Sequence, residues 1–294
     1  MALTLAEASK LSNDILLQGV IETIIYDSPV LQVLPFIEIV GNGLTYNQEN
    51  EAATAAFYAV GDTWSESTPT FTQKTTTLTI LGGDADIDNF LAATRSNIQD
   101  LEAAVIQLKA KAVQQKFDDT FINGDTAVDA KSFDGLAKLC SGDQQISMGA
   151  NGGTLTLAKL DELIDLVKGG KPNILLMSRR SRRKLTSLQR NLGSIEMTQD
   201  QFGNFVSLYN GVPIGVNDWI SDEQTVGSST DCSSIYALKL GEGAVCGLTS
   251  PGGLQVERVG SLDSKDATRT RVKWYCSLAL FNSLKLAELI GVRD

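Results

Sequence analysis

The sequence predicts an α+β protein, and three stretches carry that expectation. A helix of about 26 residues opens near Ser96, a polar hairpin spans residues 36–80, and short β-branched runs dominate after Gly193. The 294 residues suffice for one or two compact domains, and 43% hydrophobic against 20% charged residues is the balance of an ordinary globular chain.

Charge and composition narrow the function. With 35 acidic and 25 basic residues the net charge is -10, so no global field draws the chain to nucleic acid or to an anionic membrane. No apolar run reaches the roughly 18 residues a membrane span needs, and Met1 to Thr4 show neither a basic n-region nor a cleavage site. Cys140, Cys232, Cys246 and Cys276 are scattered without a CxxC pair, which reads as four buried, reduced thiols. The chain has 0 histidines. Ser-His-Asp and Cys-His nucleophiles and His-liganded zinc are therefore excluded, and only Lys, carboxylate or Tyr chemistry stays open to an enzyme.

The elements follow in order. Thr4-x-x-Glu7 is a capping box for a helix carrying Leu11, Ile15, Val20, Ile21, Ile24 and Ile25, which stops before Ser28-Pro29. Val30 to Phe36, interrupted by Pro35, reads as an extended apolar arm. Phe36 to Val40 is strand-like, Gly41-Asn42-Gly43 permits a bend, and Thr70 to Ile80 is β-prone with little apolar content. Joined by the polar stretch Asn47 to Thr68, these two strands form a protruding hairpin that needs a neighbour to be stable.

Ser96-x-x-Gln99 caps the spine, whose stripe runs Ile98, Leu101, Val105, Leu108, Ala112, Phe117 and Phe121. It stops at Asn123-Gly124, read as a left-handed C-cap, and at about 1.5 Å per residue it is a rod of roughly 40 Å. Thr156 caps a helix with Leu157, Leu160, Leu163, Ile164 and Val167 on one face, ended by Gly169-Gly170. Asn173 to Met177 is a buried strand, and Ser178 caps a basic helix through Arg179, Arg180, Arg182, Arg183 and Lys184. Strands follow at Phe205–Tyr209, Val212–Val216, Ser234–Leu240, Ala244–Leu248 and Leu254–Val259. In a further, final strand Arg269, Arg271, Lys273 and Tyr275 alternate with Thr270, Val272, Trp274 and Cys276, a basic ladder on one face.

This order resembles the major capsid proteins of tailed bacteriophages, the Hong Kong 97-like fold. Local phrases agree: Phe121-Ile122-Asn123-Gly124-Asp125 followed by Phe133-Asp134-Gly135-Leu136, then Ile174 to Leu185, Tyr209-Asn210-Gly211-Val212-Pro213-Ile214, and the basic strand ending Ser277-Leu278-Ala279-Leu280. The resemblance implies an N-terminal arm (1–35), an E-loop hairpin (36–80) and a P-domain with the spine helix (81–134). An A-domain (135–253) follows, and residues 254–294 return P-domain strands and the C-terminus. It implies a structural, non-enzymatic protein without cofactor or metal. Copies form the hexamers and pentamers of an icosahedral head around double-stranded DNA, in a virion assembled in the bacterial host cytoplasm. A portal protein is implied as partner. With a cap already at Thr4 there is no N-terminal scaffolding domain, so scaffolding is a separate protein or assembly does without one. An encapsulin-like compartment shell is the alternative on the same fold.

Individual residues carry a sharp and a bland reading. The run Arg179, Arg180, Arg182, Arg183, Lys184 is a nucleic-acid patch or, as this acidic chain favours, a helix surface pairing with acidic neighbours. Trp64, in a polar tip with few apolar partners, reads as an anchor on a neighbouring copy or, in the bland reading, as a side chain that packs locally. Lys74 is the one lysine of the hairpin, and some relatives cross-link such a lysine, but no Asn or Glu partner can be located for it. Asp84, Asp86 and Asp88 begin like a calcium loop, yet Asn89 and Arg95 stand where it needs Gly and Glu, leaving a solvated acidic turn. Gly241 to Gly247 reads as a hairpin turn, and Pro172 rules out a phosphate loop at Gly169-Gly170-Lys171.

Overall fold

The computed structural model describes residues 28–51, 53–95, 101–193, 196–199 and 205–293. The helix expected over 4–25 and the caps at Thr4 and Ser96 lie outside the described residues. In chain order the elements are α1 (Val30–Val33), β1 (Phe36–Glu38), β2 (Gly43–Glu51), β3 (Thr70–Thr77), β4 (Thr79–Asp88), α2 (Asn89–Arg95), α3 (Leu101–Asn123) and α4 (Leu136–Leu139). There follow β5 (Gln145–Ser147), β6 (Gly153–Thr154), α5 (Leu157–Leu166), β7 (Ile174–Met177), α6 (Arg179–Asn191), β8 (Glu196–Gln199), β9 (Phe205–Tyr209) and β10 (Val212–Val216). The chain closes with β11 (Gln224–Val226), β12 (Ser229–Leu238), β13 (Val245–Thr249), β14 (Gln255–Ser261), β15 (Ala267–Leu280) and β16 (Leu286–Arg293).

Three sheets result. β15 organises the first: one of its edges pairs with β13 and then β14, the other with β4, and β1 adds in parallel to β13. The second has nine strands, along β5-β16-β12-β7-β10-β9-β8, with β6 and β11 pairing on β16 and β12. β2 and β3 form a hairpin by themselves. Two strands sit across the boundaries expected from sequence. β13 belongs with β15 and not with the 135–253 region, while β16 closes the nine-stranded sheet and not the β15 sheet.

The C-terminal half of α3 is wedged between the two large sheets. Phe117, Phe121 and Ile122 meet Val272, Trp274 and Cys276 on one side and Leu176, Tyr236 and Leu286 on the other. The ring centroids of Phe117 and Trp274 lie 4.7 Å apart, and Phe36 and Phe133 join at 5.9 and 5.6 Å from Phe117. On the far face of the nine-stranded sheet, α5 and α6 bury Leu160, Leu163, Ile164 and Leu185 against Leu175, Met177, Ile235 and Leu289. The expected caps hold there: Thr156 Oγ1 accepts from Lys159 N, and Ser178 Oγ from Ser181 N.

Several expectations are corrected. The arm over 30–36 is a single helical turn followed by β1, not continuous extended chain. The hairpin strands are β2 and β3; β2 was hidden by its polarity, and Phe36–Glu38 instead joins the β15 sheet. The described part of the spine has 23 residues, about 35 Å, and buries Ala104, Val113, Phe117 and Phe121, whereas Leu108 is 39% exposed. Gly124 does not adopt positive φ; its N–H continues the helical ladder to Thr120 O at 2.8 Å. Gly241 sits in a turn between strands of different sheets, bridged only at Leu240 and Val245, so it closes no hairpin.

Candidate assembly surfaces

The β2–β3 hairpin is rooted firmly and covered scarcely at all. At its base Tyr46 donates from its hydroxyl to Leu280 O at 2.9 Å and stacks edge-on against Phe281, with centroids 4.7 Å apart. Gln48 Nε2 donates to the same carbonyl at 3.2 Å and to Phe281 O at 2.5 Å. This Tyr46-x-Gln48 pair points both side chains from one face of β2 at the end of β15, a period-two signal that sequence reading passed over.

Beyond the base the hairpin meets solvent. Phe57 and Val60 are fully exposed and Trp64 is 77% exposed. Trp64 stacks on Tyr58 with centroids 4.3 Å apart, and Tyr58 OH shares a 2.9 Å hydrogen bond with Ser65 Oγ. Asp62 Oδ2 accepts from Ala59 N at 2.6 Å, so the tip is held in one shape by polar bonds and one ring pair, without a core. Lys74 is exposed on β3, opposite Tyr46.

The basic residues of α6 divide into two groups. Arg179 forms a bidentate pair with Asp218, at 2.7 and 3.0 Å. Arg180 reaches Asp222 at 3.5 Å and donates to Asp231 O at 2.7 Å. Both therefore brace the helix against its own chain. Arg182 and Arg183, with Lys184 and Arg190, line an open hollow of about 700 Å³ together with Thr186 and Ser187. Among the described residues no carboxylate pairs with these four. Sequence reading put all the arginines on one surface; the nearby Asp218, Asp222 and Asp231 separate them.

The stretch read as an acidic turn is β4. Its spacing of two places Asp84 and Asp86 directly opposite Arg271 and Arg269 of β15. Asp86, nearly buried, takes Arg269 at 2.6 and 2.7 Å and Lys265 at 2.7 Å, while Asp84 takes Arg271 at 2.6 and 2.9 Å. Lys273 continues the ladder to Glu257 of β14 at 2.5 Å. Among the described residues no group of three His, Cys, Asp or Glu is placed to hold a metal. The Arg269 guanidinium holds the Asp86 carboxyl well below the ordinary carboxylate range. This stability is present above about pH 4 and is lost as pH falls through the depressed value. Arg269→Met is expected to cost about 1–2 kcal/mol in urea unfolding at pH 7, since solvent around the guanidinium keeps it below a fully buried pair. The cost should shrink toward pH 3; an equal cost at both would show that the charge pair contributes nothing.

The described residues thus form two large sheets around one spine helix, with a rooted hairpin whose Phe57, Val60 and Trp64 are exposed. The chain belongs to the phage capsid family, which matches residues 11–273, and it is a structural capsid protein of the virion. No curated protein matches it. Its α+β fold is the Hong Kong 97-like capsid fold. The holo-SrpI encapsulin complex from Synechococcus elongatus PCC 7942 is similar at TM-score 0.76 and 20% identity, over 99% of this chain and 96% of that one. The capsid of a native GTA particle follows at TM-score 0.67 and 14% identity, over 99% and 100%. The capsid of Myoviridae phage XM1 gives 0.64 and 15%, over 93% and 95%.

Proposed function

We propose that copies of this chain form the hexamers and pentamers of an icosahedral head that encloses double-stranded DNA without sequence-specific contacts. Assembly takes place in the bacterial host cytoplasm, with a portal protein and a separate scaffolding protein as partners and with no catalytic role for the chain. In this reading the β15 sheet with α3 is the P-domain, the nine-stranded sheet the A-domain and residues 43–77 the E-loop. The observation that carries it is the hairpin tip: among the described residues Phe57 and Val60 are fully exposed, and Trp64, stacked on Tyr58, is still 77% exposed. Exposed aromatics on a projecting arm gain free energy only against a second copy. Trp64 is the anchor, Lys74 lies on the same arm, and Arg182 and Arg183 meet acidic surface of a neighbour. Arg179 and Arg180 position their helix.

The test is gel filtration and electron microscopy of the purified chain. Closed particles, or pentamers and hexamers, are expected, and Trp64→Ala should reduce the assembled fraction about tenfold if the anchor contributes near 1.4 kcal/mol per contact. A folded monomer that never assembles, even with co-expressed scaffold, would sink the reading. The similarity to an encapsulin supports one alternative, a compartment shell on the same fold. Protein cargo instead of DNA inside the particles would decide for it.

A further inference from the structure

Asparagine followed by glycine is a pair at which a chain can modify itself. The glycine N–H, unhindered by a β-carbon, loses its proton and attacks the asparagine Cγ. The Cγ–Nδ2 bond breaks, ammonia leaves and a succinimide ring closes. Water then opens the ring to aspartate or isoaspartate, with no oxidant or cofactor involved. The sequence holds four such pairs, at Asn42, Asn123, Asn151 and Asn210. Attack requires a free side-chain amide and a glycine nitrogen that no hydrogen bond holds away from it.

Three of the four are tied. Asn123 Nδ2 donates to Asp119 Oδ1 at 3.1 Å and to Trp219 O at 3.0 Å, and the Gly124 N–H stays in the helical ladder. Asn151 Oδ1 accepts from Ser228 N at 3.0 Å, and Gly152 N donates to Gly149 O at 3.2 Å. Asn210 Oδ1 accepts from Lys171 Nζ at 3.0 Å, in the two-residue turn between β9 and β10. Asn42 differs: its side chain is exposed and makes no hydrogen bond among the described residues. Its backbone O accepts from Leu78 N at 2.9 Å, which makes Gly43 and Thr77 the next, non-hydrogen-bonded pair of the β2–β3 ladder. The Thr45 and Thr75 hydroxyls, 2.9 Å apart at another such pair, agree with that phase. Gly43 N–H therefore turns away from β3, toward the edge of β2 that carries no strand among the described residues.

We propose that Asn42-Gly43 is a self-modifying site at the root of the hairpin, converting with age to isoaspartate and aspartate ahead of the other three pairs. In isoaspartate the main chain runs through Cγ, so the carbonyl that accepts from Leu78 N leaves the chain path and becomes a pendant carboxylate. The rung that opens the hairpin is weakened, and a negative charge is added to a chain already at -10. Tyr46 and Gln48 still hold Leu280 O, so the hairpin loosens at its start without detaching.

The test is peptide mapping of the full-length chain aged in mildly alkaline buffer, with electron-transfer fragmentation to tell isoaspartate from aspartate. In folded protein Asn42 should convert about tenfold faster than Asn123, Asn151 and Asn210, where hydrogen bonds must break first. In urea the four rates should converge, since only the shared Asn-Gly sequence then acts. Conversion at Asn42 no faster than at the other three in folded protein overturns the proposal. So does a lead that persists unchanged in urea, which would come from local sequence and not from the fold. Asn42→Gln, whose longer side chain closes the ring poorly, should stay unmodified with native circular dichroism; substituting Gly43 would instead place a β-carbon 2.8 Å from Thr76 O. Hydrogen exchange at Leu78 N–H should rise about tenfold in the aged wild-type chain and not in aged Asn42→Gln. Equal protection in both would overturn the loosening of the root.

Discussion

Gly135→Ala is expected to destabilise the chain by about 3 kcal/mol or more, enough to leave little folded protein. Neither Gly124 nor Gly135 has positive φ, so backbone freedom is not what these glycines supply. They supply absence of volume. Gly135 N–H donates to Gly124 O at 2.9 Å, bringing the chain after the loop directly onto the last turn of α3. A β-carbon at 135 would overlap Thr120 O and stand 2.7 Å from Gly124 N and 2.9 Å from Ile122 C. One at 124 would overlap Phe133 O and lie 2.5 Å from Thr120 O. All of these are backbone atoms, and none can swing away. Separating them would pull Ile122, Phe133 and Leu136 out of the core. Gly142→Ala is the control: φ is +63° with nothing within 4 Å, so the cost there is the left-handed backbone alone, about 1 kcal/mol. Urea unfolding of both variants decides the matter, and equal costs would refute the close-contact account.

This pair also shows what was legible in the sequence. The motif around Gly124 and Gly135 marked the end of the spine, but its reason, contact between two backbones 11 positions apart, is invisible to a local rule about C-caps. The α6 helix, its cap and the buried strand before it were readable because Ser178 and the apolar run Ile174 to Met177 act locally. The stripe on α3 was misphased because only its C-terminal half lies between two sheets, and Phe117 and Phe121 set the buried face there. β16 was missed because Leu-Ala-Glu-Leu breaks the alternation: Glu288 is buried, satisfied by Gln145 at 3.1 Å. The acidic triplet at 84, 86 and 88 and the basic series at 269, 271 and 273 have the same spacing of two. Matching the two series by charge pairs β4 with β15 but misses the register by two, because Asp88 faces Ala267 and Lys273 faces Gly82. At the surfaces, Trp64's exposure was legible from its polar surroundings. The division of the α6 arginines was not, because Asp218 and Asp222 arrive from about 40 residues away.

Asp118→Asn is expected to make the protein more stable above pH 7 and to remove most of a pH dependence that the wild type carries. Asp118 lies on α3, 3% exposed, with Oδ1 buried and without a hydrogen-bond partner. Burial pushes its carboxyl up to about 7, against only a small lowering from the Ser28 hydroxyl, and no charged side chain contributes. The unfolded chain releases this proton near pH 4, so between about 4 and 7 the folded state holds one proton more. Stability must then fall as pH rises through that window, and the loss is complete above it. Three pH units at about 1.4 kcal/mol each set an upper scale of roughly 4 kcal/mol. Asn keeps the shape without the charge and should recover most of it at pH 8 while changing little at pH 4.5. Glu288, also raised by burial, leaves some residual slope in the same direction. Asp86 acts in the opposite sense and only at lower pH, so the two windows do not overlap. Urea midpoints at pH 4.5, 6 and 8 separate the outcomes. Profiles that run parallel for wild type and variant would mean that Asp118 does not titrate in this range, and that its buried oxygen has found a partner in the folded protein.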